Sequence, residues 1–509
     1  MITNFTFFRR ALAAFLLVEL FSYFSYSIPQ LAPMTFWLLV AACLLLSLRR
    51  LEYGVLMVLG ELFIGSKGYL YFTELSSFKL SIRIALWSVL VLVWLGKYAL
   101  CLWRERALGR QLAEIRNKKF GAAFAFLFII AAWGLANGYL RQPDFKSVFL
   151  DANAWMYFGL IFPLYSIRNA DKLPERIWSL FWAATAWLSF KTLFLLYIFS
   201  HGQTLLIFSL YHWVRDTGIG EITQIEGGFY RVFIQSQIFN LLGFFIALCW
   251  LMAEGVKKRI LPFLRERQSK IILVLLSLNL ITILLSFSRS FWVGAIAGFG
   301  ALAVWTAIQA KGNEGPYFQK LAHSIKLSAL SIVLAAVLSI AIIGLTIAFP
   351  WPRPTGGFNA TDLFSERLTE ADESAIGSRW ALLPKLWEQV RSAPIFGKGF
   401  GAGVTYKSQD PRILKDTPDG NYTTTAFEWG WLDIWLKLGI FGLLSYLYIL
   451  YKIGREDWRT GHMTALPAGS LAIGLAILSI VHVFTPYLNH PLGIGYILMA
   501  AVLLESDRH

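Results

Sequence analysis

A chain of 509 residues that is 57% hydrophobic, 16% aromatic and only 15% charged, with a mean hydropathy of +0.57, is too apolar to be a soluble globular domain. Its formal charge of +15 comes from short basic clusters between apolar runs, which argues against a nucleic-acid-binding domain and makes the clusters topology signals. Three cysteines, Cys43, Cys101 and Cys249, all lie inside apolar runs; that excludes a disulfide framework or a CxxC metal motif and fits core packing.

The runs are long enough for a hydrocarbon layer about 30 Å thick, and no barrel-type alternation appears, so they are expected to be helices. The start, Phe7-Phe8-Arg9-Arg10 before ALAAFLLVELF, resembles a signal peptide, yet no small-x-small cleavage pattern follows, and a retained first helix is expected. In chain order about 14 spans are predicted, near 11–27, 31–48, 51–66, 83–103, 120–138, 147–166, 177–200, 233–254, 271–287, 290–310, 327–349, 428–451, 467–487 and 490–505. The expected class is therefore all-α, a polytopic transmembrane bundle with a large, partly helical periplasmic loop.

Placing Arg9 and Arg10 inside puts every strong basic cluster on that side: Arg49-Arg50, Arg104 to Lys119, Arg168 to Arg176, Lys257 to Lys270, Lys311 to Lys326 and Lys452 to Arg459. Both termini are then cytoplasmic, and the outer side receives His201 to Val232 and Pro350 to Phe427. The organisation is a bundle over 1–349, the loop over 350–427 and three further spans over 428–509. Neither a low-complexity tract nor the inverted repeat of a transporter is visible. Within the loop, SRWALLPKLWEQV repeats Trp380, Leu383, Trp387 and Val390 at helical spacing, an apolar face suited to the membrane surface, with a kink or break expected at Pro384. The glycine-rich Gly397 to Gly403 reads as a turn or, less readily, as an anion-cradling nest.

Several residues can carry chemistry. Arg289, in LSFSRSFWVG, stands in a tight outer turn where the positive-inside rule disfavours a cation; its planar fork can bind phosphate, or it snorkels into headgroups. Arg231, in GGFYRVFIQSQIFN, opens the eighth span and precedes Gln235, Gln237 and Asn240, amides able to bond a sugar or pyrophosphate or to join helices. Arg379 and Arg391 flank the amphipathic segment and either add positive field to the same site or are solvated loop charges. His201, His212 and His490 fall on the outer side and His482 near the outer end of a span, with no motif grouping them into a metal site. Glu428 is spaced three and seven residues from Trp431 and Trp435, which places a carboxylate beside rings suited to a sugar; a helix cap and an aromatic belt account for the same residues. Asp433 and Lys437 form a separate pair four residues apart.

In order, RVFIQSQIFN, LSFSRSFWVGA, GSRWALLPKLWEQVRSAPIFGKGFGAG and the LxLGIFGLL helix resemble the bacterial O-antigen ligase and O-antigen polymerase superfamily over roughly Tyr230 to Leu444. The resemblance implies an inner-membrane glycosyltransferase that takes an undecaprenyl-pyrophosphate-linked glycan at the periplasmic face. It implies an inverting, metal-independent reaction with no cofactor, the lipid bilayer as surroundings, and no nucleic acid; a chain-length regulator or a flippase is left open as a protein partner. Arg231 and Arg289 would hold the pyrophosphate, with Arg379, Arg391, Gln235, Trp431 and Trp435 binding substrate. In the family pattern the helix after the loop starts with histidine and asparagine; those positions here are Glu428 and Trp429, and a carboxylate can serve as general base. Polymerase is the expected activity, ahead of ligation to lipid A core or oligosaccharide transfer to protein. A flippase of lipid-linked sugars would need buried acids, for which Glu19 and Glu61 are the candidates, and a structural secretion subunit would need no site at all.

Overall fold

The computed structural model describes residues 4–75, 78–105, 118–141, 144–225, 229–256, 258–312, 316–354, 373–408, 411–460 and 466–505. The first part of the chain forms α1 (Phe5–Ser27), α2 (Leu31–Arg49), α3 (Leu51–Ile64), the hairpin β1 (Phe72–Leu75) and β2 (Phe78–Ser81), α4 (Ile82–Glu105) and α5 (Gly121–Arg141). Next come α6 (Phe145–Ala152), a 3-10 turn over Trp155–Leu160, α7 (Ile161–Ser166), α8 (Leu173–Ser200), α9 (Thr204–Asp216) and the hairpin β3 (Gly220–Gln224) and β4 (Tyr230–Ile234). They are followed by α10 (Ile238–Gly255), α11 (Ile260–Arg265), α12 (Arg267–Ser286), α13 (Arg289–Gly312) and α14 (Tyr317–Ile347). The long loop holds α15 (Glu373–Ser392), β5 (Val404–Lys407), α16 (Pro411–Asp416) and β6 (Asn421–Thr424); α17 (Gly430–Thr460), α18 (Ser470–Phe484) and α19 (Pro491–Glu505) complete the bundle. Residues 355–372 of the expected loop lie outside the described residues.

The chain is thus a polytopic helical membrane protein. Among the described residues nine helices are long and apolar enough to cross a membrane, and the pair α6 and Trp155–Ser166, bent by 49°, makes a tenth. The count of about 14 is corrected to that extent: every predicted segment is helical over most of its length, but α18 and α19 have 15 residues each, α3 has 14, and α1 carries Arg9, Arg10 and Glu19. The eighth span also starts later than predicted. Tyr230 to Ile234 is a strand, paired with β3 so that Arg231 faces Thr223, and the helix begins at Ile238.

Burial sorts the helices by position. α10 and α19 bury nearly every side chain and form the centre, whereas α2 and α14 bury only a few of theirs, as helices facing lipid do. A central helix needs its polar groups satisfied from neighbours. The Asn240 amide therefore donates to the Thr185 carbonyl (2.9 Å), Ser189 Oγ (3.1 Å) and Asn279 Oδ1 (2.8 Å), tying α10 to α8 and α12. Gln237 caps the Ile234 N–H at 3.0 Å and donates to Thr192 Oγ1 at 2.9 Å. These two amides join helices. The acids expected of a transporter are each locked to a cation, Glu19 to Lys191 at 2.6 Å and Glu61 to Arg83 at 2.9 Å.

The loop helix corrects a further expectation. α15 runs through Pro384, and its inward stripe is Leu382, Leu386 and Val390, packed on Ala402, Val404, Phe427 and Leu436. Trp380 and Trp387 stay partly exposed and close edge-on against Trp429 and Trp435. The helix is held by the start of α17 through this second small core, while Trp380 and Trp387 of the expected apolar face keep 57% and 42% of their surface exposed.

Candidate active site on the loop face

Described parts of the connections around His201, Gln235, Phe349 and Tyr487 meet at one end of the bundle. His201 Nε2 sits 2.9 Å from the Phe349 carbonyl, and the Tyr487 hydroxyl donates to the Gln235 carbonyl at 3.1 Å. Each sequence candidate lies at this end or close to it.

Arg231 and Arg289 are brought together by the end of α12. Phe287 adopts a left-handed conformation (φ 44°), which stops the helix and allows α13 to restart at Arg289. The Ser286 carbonyl, without a helical donor there, accepts Arg231 Nε at 2.8 Å. The half-buried guanidinium of Arg231 also lies over the Phe233 ring, 5.1 Å from its centroid, while Arg289 is exposed. A strand, rather than the predicted helix, thus anchors Arg231 to Ser286, three residues before Arg289, at the junction of α12 and α13.

Glu428 stands in the bend just before α17 and pairs with Arg379 of α15; both side chains are about half exposed, at 45% and 52%. Trp429 Nε1 donates to the Arg379 carbonyl at 3.2 Å, which fixes that approach. The expected shared face with the tryptophans does not form, because Glu428 is outside the helix that would set the spacing. Trp431 turns to α18, donating to the Ser479 carbonyl at 3.0 Å beside His482; Trp435 turns to the loop, donating to the Pro394 carbonyl at 2.9 Å. Arg391 is exposed in the last turn of α15, about 18 Å along the helix from Arg379.

Between these groups lies a cavity of about 310 Å³. It is walled by Asp151 to Trp155 of the α6 end, Gln235, Ala426-Phe427, Asp433 and Lys437 of α17, and Thr485 to His490. The Lys437 ammonium bridges two carboxylates, pairing with Asp151 and, at 2.5 Å, with Asp433 Oδ1; Asn489 donates to Asp433 Oδ2 at 2.6 Å. Asp151 Oδ2 in turn accepts the Gly401 N–H at 2.7 Å. Burial, then the Arg83 and Lys67 cations, push the His490 imidazole down to about 3, so it is neutral near pH 7. His201 faces the Tyr197 and Phe349 carbonyls with its two ring nitrogens, and His212 lies 3.8 Å from Asp216 at the helix surface.

The glycine segment supports this floor and is neither a plain turn nor an anion nest. Gly439 (φ 69°, ψ −172°) breaks α17, leaving the Leu436 and Lys437 carbonyls to accept the N–H groups of Lys398 (2.6 Å) and Gly399 (3.0 Å). The Phe400 N–H goes to the Gly134 carbonyl at 3.0 Å. Four consecutive N–H groups, from Lys398 to Gly401, are thus committed to protein acceptors. Sequence reasoning read Asp433 and Lys437 as a separate pair four residues apart and missed Asp151 and Asn489. The available signal was an acid inside the apolar run 147–166.

Residues 271–447 match the family model described as O-antigen ligase, a stretch from α12 into α17 that contains Arg289, Arg379, Glu428, Asp433 and Lys437. The match supports an O-antigen ligase/polymerase-like superfamily, whose members are enzymes acting on glycans. No curated protein matches the chain significantly.

Proposed function

We propose that the chain polymerises undecaprenyl-pyrophosphate-linked oligosaccharide repeat units into a surface polysaccharide at the periplasmic face of the bacterial inner membrane. The observation that carries the reading is the anchoring of Arg231 to the Ser286 carbonyl, three residues before the exposed Arg289, at the α12–α13 junction. Two guanidinium groups there can hold a pyrophosphate through paired N–H donors and stabilise the charge that grows as it leaves. An acceptor hydroxyl attacks the anomeric carbon of the donor, the glycosidic C–O bond to the pyrophosphate breaks with inversion, and Glu428 takes the hydroxyl proton. The Arg379 pair positions that carboxylate. An exposed ion pair is worth at most about 1 kcal/mol, so an acceptor can displace Arg379 at small cost. Ligation to lipid A core would use the same donor chemistry, and the cation-locked Glu19 and Glu61 give no support to a flippase.

The test combines cells and purified protein. Deleting the gene should leave single-repeat surface glycans on electrophoresis; full-length chains retained on carrier lipid would point to ligation instead. With a lipid-pyrophosphate-linked repeat unit, Arg231→Ala, Arg289→Ala and Glu428→Gln should each lose transfer, with poor rescue of the arginines by lysine. Wild-type rates in both alanine variants would overturn donor binding by this pair, and wild-type rates in the Gln variant would remove Glu428 from the reaction.

A further inference from the structure

We infer that the cavity floored by Asp433, Lys437 and Asp151 is a saccharide-binding subsite that holds the acceptor sugar, an inference that rests on the transferase reading above. Three observations carry it. First, its lining combines carboxylates and amides that bond vicinal hydroxyls, namely Asp151, Asp433, Asn153, Gln235 and Asn489, with the rings of Trp155 and Phe427, which offer apolar faces to a sugar ring. Its volume of about 310 Å³ lies at the lower end of small-molecule sites, which run from about 300 to 1,000 Å³.

Second, the polar groups are pre-positioned and one is left over. Asn489 gives its amide hydrogen to Asp433, while its own carbonyl oxygen is buried and has no hydrogen-bond partner among the described residues. A buried acceptor on a residue that lines a polar cavity is costly to leave unmade, and a hydroxyl donor that reaches it satisfies it. The Lys437 ammonium is engaged by two carboxylates and lies 5.5 Å from the centroid of the Phe427 ring, so its role is to hold Asp433 and Asp151 in place. It is a positioning residue.

Third, the cavity lies between the two halves of the proposed site. On one side Ala426 and Phe427 lead directly into Glu428. On the other, Tyr487 meets Phe291 (6.1 Å between ring centroids) and Phe291 meets Phe233 (5.8 Å), the ring beneath Arg231; Phe291 is two residues from Arg289. A sugar seated here is thus next to the chain that leads into Glu428, and is joined to the ring under Arg231 through the Tyr487–Phe291–Phe233 contacts. A second pocket, walled by Lys67, Tyr69 and Trp87, shares Asn153, Ala154 and His490 with it.

The experiment uses the full chain in lipid nanodiscs and, as probe, the free oligosaccharide repeat released by mild acid from its lipid-pyrophosphate carrier, in which the glycosyl-phosphate bond is the one cleaved. Saturation-transfer NMR should detect weak binding to the wild type. Asn489→Ala and Trp155→Ala should weaken it about three- to tenfold or more, the loss expected for one neutral hydrogen bond or one stacking face. Arg231→Ala should still bind the free repeat, because that sugar carries no pyrophosphate. Wild-type binding in both the Asn489 and Trp155 variants, or no binding to the wild type, overturns the subsite. A folded variant is verified by size exclusion, and Asn489→Asp, which keeps volume and the acceptor while adding a charge beside Asp433, provides a second reading: it should bind more weakly, and wild-type affinity there also overturns the inference. Failure of the transferase reading looks different, as absence of transfer from the pyrophosphate-linked donor by wild-type protein.

Discussion

Replacing Lys437 by Met keeps the length of the stem and removes only the ammonium. In the folded protein Lys437 and its partners are almost sealed, with side-chain exposures of 4% for Lys437, 6% for Asp433 and 10% for Asp151. The variant would leave two carboxylates facing each other at the cavity floor, and breaking a buried pair in this way typically costs about 3–5 kcal/mol. Arg379→Met supplies the internal comparison, since its pair with Glu428 is about half exposed and should cost about 1 kcal/mol or less. Adding Asp433→Asn to Lys437→Met removes one of the two stranded charges, so the double variant should be more stable than the sum of single losses implies, by about 0.5–3 kcal/mol. The assay is SDS-induced unfolding of purified protein in mixed micelles, followed by tryptophan fluorescence, with all four variants compared. A Lys437→Met variant no less stable than Arg379→Met, or strict additivity in the cycle, would refute the buried triad.

Gly439→Ala should destabilise the protein by about 1–3 kcal/mol from backbone strain alone, because φ 69° and ψ −172° is a region that only glycine occupies readily. A Cβ there would also stand 2.0 Å from the Ile395 carbonyl oxygen, so the glycine segment must shift; unchanged unfolding would show that this close approach is not maintained. Topology is tested by a cysteine at exposed Asp419: an impermeant maleimide should label it in intact spheroplasts, and labelling only after permeabilisation would reverse the orientation and with it the periplasmic site.

Apolar length was enough to determine the class of this protein and most of its helices, because burial of backbone in hydrocarbon leaves helices almost no alternative. The arginines were legible for a related reason: a cation in a turn as tight as Ser286 to Arg289 needs an explanation from sequence alone. What could not be read is which groups would face one another. Arg231 reaches the Ser286 carbonyl only because a left-handed Phe287 ends α12 and a hairpin carries the arginine to it. Glu428 was placed with Trp431 and Trp435 by helical spacing, but the helix starts two residues later and the three side chains turn to three different neighbours. Asp151 lies 286 residues from Lys437 and entered no local pattern, yet the break at Gly439 and the glycine segment threaded beside it set the two in contact. Spacing along a chain reports only the face of one element, whereas a cavity is made of surfaces from several, and their juxtaposition follows from packing that tertiary structure alone decides.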